Sequence, residues 1–134
     1  MIPISEHMGI QVVNYTGSSL TISAPLANNI NHQLTAFGGS LFSLCALAGW
    51  GLIHLKLTEL GLDGNTVIAG GEVEYATAVD DTLACHCSLP QNWNEFIERL
   101  QVKGKASILL SSTIEHGGHA AMSFQGTYVI RLNS

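Results

Sequence analysis

Thr35-Ala36-Phe37-Gly38-Gly39-Ser40-Leu41-Phe42-Ser43-Leu44-Cys45-Ala46-Leu47-Ala48-Gly49-Trp50 is the stretch on which the fold of this chain turns. It lies in a run, between Glu6 and Lys56, that holds no Asp, Glu, Lys or Arg. Two glycines open a helical pattern that is predicted to run from about Gly38 to Leu60, with Gly61 as its C-terminal cap. The pattern is apolar on nearly every side, so the helix has no face for water and must be enclosed by protein or by lipid. Its start, left bare by Gly38 and Gly39, offers backbone N–H groups to an incoming oxygen.

Lipid is the weaker choice. The run Gly38–Leu55 reaches the lower length limit for a membrane span. Ser40, Ser43, the glycines and His54 interrupt it, and Lys56 alone flanks it, so no membrane span is expected. At 134 residues, 46% apolar and only 11% charged, the chain reads as one domain over residues 1–134 that hides part of its surface in an oligomer. A net charge of −5 with five Lys and Arg excludes nucleic acid as a partner, because phosphate backbones need a basic face. Three cysteines in core-like patterns fit a reducing compartment rather than a disulfide framework. The N-terminal residues show neither a basic start nor an apolar h-region, so a cytoplasmic location is expected.

Strand patterns surround the helix. Gly9–Tyr15 and Ser19–Ala24 alternate, with Gly17 as the turn between them and Pro25 as the stop. Asn28, Asn29 and Asn31 mark a turn-rich loop. Thr66–Val79 reads as a strand with Val67, Ala69, Gly71, Val73 and Tyr75 on one face and Glu72 and Glu74 on the other. Thr82–Leu89 is a further strand. Asn92 to Glu95 has the form of a capping box that opens a short helix bearing Trp93, Phe96, Ile97 and Leu100. Lys103–Glu115 and His119–Leu132 close the chain as a hairpin. Antiparallel strands with one helix apolar all round are compatible only if the sheet curls about the helix. The expected class is α+β: the hotdog fold, a curved antiparallel sheet of about six strands around a long central helix.

Asn31, Phe37-Gly38-Gly39 and Leu41-Phe42-Ser43-Leu44-Cys45-Ala46 resemble the helix start of hotdog thioesterases of the phenylacetate-pathway type. Those proteins carry an Asn, a His-Gly-Gly and then Leu-Phe-Ser-Leu-Ala-Asp. The whole chain, including Leu47–Gly51 and the Pro90–Arg99 insertion, is still more similar to the YiiD-type thioesterase-like domain, which is often fused to a GNAT acetyltransferase. The resemblance implies an acyl-thioester hydrolase acting on acyl-CoA or acyl-carrier-protein (acyl-ACP) thioesters, with no cofactor. It also implies a homodimer or a tetramer (dimer of dimers) with a site at a subunit interface, and a possible acetyltransferase partner.

Thioester hydrolysis needs an oxyanion site, an activated water or nucleophile, and room for the acyl chain. Backbone amides at Gly38 and Gly39 supply the first, or the glycines merely let helix and sheet approach. This sequence departs from the resemblance at two positions: the His is Phe37, and the water-activating Asp is Ala46. What remains is Asn31, as a ligand of water or carbonyl, and His32, as a base near neutral pH; both are also ordinary loop residues. Ser40 and Ser43 could hydrogen-bond a substrate or water, Ser43 as part of the catalytic set, or bond back to the preceding helical turn. Phe37 stands at the substrate end of the helix. Arg99, Lys103 and Lys105 are the only basic concentration and could meet carrier phosphates, or form a solvent face of the last hairpin.

Cys45 reads as a buried thiol. Cys85-His86-Cys87 places its cysteines and its histidine on opposite strand faces, and no metal is expected there or at His116 and His119. The loss of the helix carboxylate leaves two alternatives beside hydrolysis. One is a non-catalytic acyl-thioester-binding module; the other is an acyl-handling partner of an acetyltransferase.

Overall fold

A computed structural model describes residues 3–133 of the chain; Met1, where the leader expectation begins, Ile2 and Ser134 lie outside the described residues. The elements in order are α1 (Pro3–Met8), β1 (Gln11–Tyr15), β2 (Ser19–Ala24), α2 (Gly38–Glu59), β3 (Gly64–Tyr75), β4 (Leu83–Ser88), α3 (Trp93–Lys103), β5 (Lys105–His116) and β6 (His119–Leu132). The strands form one six-stranded antiparallel sheet in the order β1-β2-β4-β5-β6-β3. Its inner face closes on α2, as the hotdog reading requires.

The helix is held by one side. Leu41, Leu44, Cys45, Ala48, Leu52, Ile53 and Leu57 recur at helical spacing and are buried against Ile22, Cys85, Ile114, Met122, Phe124 and the rest of the core. Gly61, at φ +68, follows the C-terminus as the sequence implied. The opposite side of α2 is a stripe of Phe42, Ser43, Ala46, Leu47, Trp50 and His54, none of them fully buried. By length and composition alone α2 could cross a membrane, but the sheet takes up its other side. Two glycines in the core are required by close approach. A Cβ at Gly49 would lie 2.3 Å from the Tyr128 hydroxyl, and one at Gly126 would lie 2.6 Å from the Phe124 ring.

Several boundaries move. The first strand starts at Gln11, because Pro3–Met8 forms a helix instead of leading into a strand. The third strand ends at Tyr75 rather than Val79, and its face pattern breaks at Ala69. There the register with β6 slips between Ile68 and Gly70, which inserts one residue. Gly71, Val73 and Tyr75 therefore lie opposite the inward Gly126, Phe124 and Met122, whereas Val67 pairs with Val129 on the outer face. The short helix extends through Lys103, so Lys103 and Lys105 do not share a strand. Left-handed Gly104 separates them. Asn92 makes no side-chain capping bond to the helix, so the capping box does not form. The last hairpin turns on Gly117 and Gly118, both at positive φ, as a two-residue loop demands.

Candidate active site

The start of α2 is built by the loop before it. Asn29 is buried and acts as the hub of that loop. Its Nδ2 donates to the carbonyl of Met8 at 2.9 Å and to that of Pro25 at 2.8 Å, while its own carbonyl accepts the Phe37 N–H at 2.7 Å. One residue thus ties α1 and the end of β2 together through its side chain and holds the helix start through its backbone carbonyl. The sequence marked Asn29 only as a turn residue, since nothing local reveals its distant partners.

Asn31 organises the next turn. Its Oδ1 accepts the N–H of Gln33 at 2.9 Å and that of Thr35 at 3.2 Å, and its Nδ2 donates to Thr35 Oγ1 at 2.9 Å. These bonds hold Leu34 at φ +64, a conformation an L residue adopts only when its surroundings fix it. Most of the Asn31 amide is therefore engaged within the loop, and one Nδ2 hydrogen remains for a ligand. His32 is exposed beside it.

Phe37, at φ −66 and ψ 132, is the N-cap and brings no side-chain bond to the helix. The N–H groups of Gly38 and Gly39 find no hydrogen-bond partner among the described residues, whereas Ser40 and Leu41 already bond to the Phe37 carbonyl. The Phe37 ring lies where a Cβ of Gly39 would be, at 2.4 Å. On the other side the Tyr75 ring passes 3.7 Å from the corresponding point on Gly38, and its hydroxyl donates to the Gly38 carbonyl at 3.0 Å. Asn31, Thr35, Gly38, Leu41, Tyr75 and Ala76–Ala78 line an open cleft of about 340 Å³. The strand-to-loop wall of this cleft is pinned on both sides. The Ala36 N–H reaches the Val79 carbonyl at 2.7 Å, the Ala76 N–H reaches that of Ala121 at 2.8 Å, the Thr77 N–H reaches the same Ala121 carbonyl at 3.2 Å, and His116 Nε2 pairs with Asp80 Oδ1 at 2.9 Å.

The remaining candidates divide. Ser40 and Ser43 sit on α2 with no side-chain hydrogen bond among the described residues, so neither bonds back to the preceding turn. Ala46 stands where the resembling proteins carry Asp, and its carbonyl accepts the Tyr128 hydroxyl at 2.8 Å. Cys45, Cys85 and Cys87 are buried. Its hydrogen bond to Cys45 Sγ, followed by burial, pushes the Cys85 thiol far above the ordinary range, and burial takes Cys87 up to about 11. Such thiols are poor nucleophiles.

The basic residues are not at this end. Lys105 pairs in register with Arg131, which pairs with Asn65 at the beginning of β3, while Tyr75 closes the same strand. Ten residues of strand separate the two ends by roughly 30 Å. The register adds Arg131 to Arg99, Lys103 and Lys105. That addition depends on a pairing 26 residues apart in sequence, which the spacing of charges does not show. The Arg99 guanidinium also donates to the Ser107 carbonyl at 3.1 Å.

The family model described as "Putative thioesterase (yiiD_Cterm)" matches residues 1–132. A protein of unknown function from Chlorobaculum tepidum TLS is similar at 34% identity and a TM-score of 0.93, covering 98% of this chain and 88% of that one. A Shewanella oneidensis protein described as a "putative thioesterase" is 33% identical with a TM-score of 0.89, covering 96% and 88%. A Pseudomonas aeruginosa protein described as "Probable Thioesterase" shares 16% identity and a TM-score of 0.83 over 98% and 89%, a likeness of fold alone.

Proposed function

Because the chain belongs to the hotdog-fold family described as "Putative thioesterase (yiiD_Cterm)", we propose that it hydrolyses acyl-CoA or acyl-ACP thioesters at the start of α2. The observation that carries this reading is the pair of unpartnered amides at Gly38 and Gly39, beside a cleft that Asn31 and Tyr75 line. In the reaction a water oxygen bonds to the thioester carbon, charge gathers on the carbonyl oxygen, the C–S bond breaks and the thiolate takes up a proton. Two N–H groups backed by the helix dipole match that developing charge. Asn31 shapes the entrance and keeps one Nδ2 hydrogen for the carbonyl or the water. We assign His32, exposed on the same loop, to water activation, since an imidazole nitrogen can accept a proton and α2 has no carboxylate before Glu59. Phe37 and Ser40 are assigned to substrate binding and Ser43 to holding substrate or water, from their places at the start of α2.

A second copy completes the reading. β3 is an edge strand of 12 residues without Pro or Lys, with Val67 59% and Ile68 41% exposed. Such an edge is a template for another strand. Antiparallel pairing of β3 with its counterpart brings the basic end of one protomer beside the glycine end of the other. The arm between the sulfur and the first phosphate of the carrier has about thirteen bonds and spans roughly 15 Å, too short to join the two ends of one protomer. Arg99, Lys103, Lys105 and Arg131 therefore meet carrier phosphates in trans. The part-exposed stripe on α2 is the surface for a dimer of dimers.

Thiol release from a panel of acyl-CoA and acyl-ACP thioesters tests the reading. Turnover that falls in Asn31→Ala and His32→Ala supports it. Ala46, in place of a carboxylate, favours the second reading, a binding module. Tight thioester binding without turnover, unchanged by Asn31→Ala, establishes that module and refutes the hydrolase.

A further inference from the structure

Three tyrosines occur in the chain, and two have structural partners away from the cleft. Tyr15 donates to Glu59 at the far end of α2, and Tyr128 donates to the Ala46 carbonyl in the core. Tyr75 differs. It ends β3, its ring lines the cleft, its side is 53% exposed, and its hydroxyl donates to the carbonyl of the first helical residue, Gly38, at 3.0 Å. That carbonyl belongs to the same peptide group as the Gly39 N–H. The group is flanked on one side by the Tyr75 ring and on the other by the Phe37 ring, which fills the place of a Gly39 side chain.

A hydrogen bond accepted at a peptide oxygen draws electron density away from the nitrogen of the same group and strengthens its N–H as a donor. We infer that Tyr75 is a positioning residue: its hydroxyl holds and polarises the Gly38–Gly39 peptide, so that the Gly39 N–H binds a developing oxyanion more strongly. The inference rests on the reading of the helix start as the oxyanion site. Tyr75 acts through the backbone and takes no proton from the substrate. In this chain it supplies electrostatic support near the reaction centre from the sheet, on a helix with no carboxylate before Glu59. The fold explains why the role falls on this tyrosine. The extra residue at Ala69 turns the second half of β3 so that Gly71, Val73 and Tyr75 face inward, which aims the phenol at the first turn of α2. Without that bulge the residue would lie on the outer face.

Tyr75→Phe keeps the ring and removes only the O–H. Three results are expected together. kcat falls roughly two- to eight-fold, as a partial weakening of one oxyanion donor implies. KM and the melting temperature hold, because the ring contact and the exposed setting of the side chain are unchanged. The Gly39 amide proton moves upfield in the NMR spectrum of the free protein, by more than the amides of Ser40 and Leu41. A Gly39 resonance that stays in place overturns the inference, whatever happens to the rate. A wild-type protein without turnover refutes the hydrolase reading instead, and the Gly39 shift then decides the positioning role alone. An equal loss in Tyr75→Phe of kcat and of melting temperature, with Gly39 unmoved, assigns Tyr75 to stability and also overturns it.

Discussion

Gly49 of the central helix and Tyr128 of β6 occupy complementary space: the phenol oxygen fills the place of a Gly49 side chain and donates to the Ala46 carbonyl three residues earlier. The ring is 1% exposed and cannot swing away. Gly49→Ala is therefore predicted to destabilise the protein by about 1–3 kcal/mol through overpacking, despite the better helix propensity of alanine. Urea denaturation should show a lower midpoint at an unchanged slope. Stability equal to or above wild type would show that the helix and β6 have room between them.

Asn29 is the second test of packing. Asn29→Ala leaves the Met8 and Pro25 carbonyls without their donor and is expected to cost about 2–3 kcal/mol. Because the Asn29 backbone also receives the Phe37 N–H, the variant should lose turnover as well as stability. The Asn29 Oδ1 atom itself is buried with no hydrogen-bond partner among the described residues, so Asn29→Asp, which puts charge on that atom, is expected to be worse than alanine.

How much of this was legible in the sequence follows from what is local. The helix from Gly38, its stop at Gly61 and the Gly117-Gly118 hairpin could be read directly, because each depends on a few adjacent residues. Enclosure by the sheet was legible from missing charge, although the sheet covers only one side of α2. The bulge at Ala69 was not legible: a single inserted residue leaves alternation intact on either side and flips only its meaning. α1 is too short to show a period. Asn92 has the right residue type for a cap, but at φ −90 and ψ 18 it makes no side-chain capping bond. At the proposed site, Asn31, Gly38 and Gly39 were marked as candidates by motif. Tyr75, Asn29 and Arg131 owe their places to partners 37, 21 and 26 residues distant, and no spacing rule reaches so far.

The far end of α2 should report on pH. Burial, then the hydrogen bond to Glu59, pushes the Tyr15 phenol from 10.0 up to about 12. The bonds from Tyr15 and then Lys56 hold the Glu59 carboxyl below its ordinary 4.5. The tyrosine contribution is complete below pH 10.0 and lost as pH rises through about 12, because the folded state keeps the proton longer. The glutamate contribution is present above pH 4.5 and lost as pH falls below it, because the folded state gives up its proton more readily. Tyr15→Phe should flatten the alkaline limb and weaken the acid limb, leaving Glu59 with Lys56 alone. Unfolding midpoints across both limbs check this; identical profiles for variant and wild type would contradict it.

Charge reversal tests the phosphate contact. Lys105→Glu and Arg131→Glu are each expected to weaken coenzyme A binding about three- to ten-fold at low salt and to reduce its salt dependence. In mixed dimers, one protomer carrying both reversals and the other an inactive cleft, the trans arrangement predicts that the only intact cleft lies beside the intact basic end. Such dimers should bind there as wild type does. Affinity and salt slope unchanged in the single variants would remove these residues from the site.

The backbone amide at the helix start can be deleted without unfolding the helix. Gly38 is the first helical residue, where proline is well accommodated, and Phe37 before it already has the extended ψ of 132 that a following proline favours. A Cβ at Gly38 meets the Tyr75 ring only at ordinary contact distance, 3.7 Å, so Gly38→Ala serves as a control that keeps the N–H. Steady-state thiol release from an acyl-CoA thioester by the two variants is the decisive comparison. Gly38→Ala should stay within a few-fold of wild type, and Gly38→Pro, still folded by circular dichroism, should fall by about 10²-fold or more in kcat. A folded Gly38→Pro protein that turns over as fast as Gly38→Ala would contradict the placement of the oxyanion at the start of this helix.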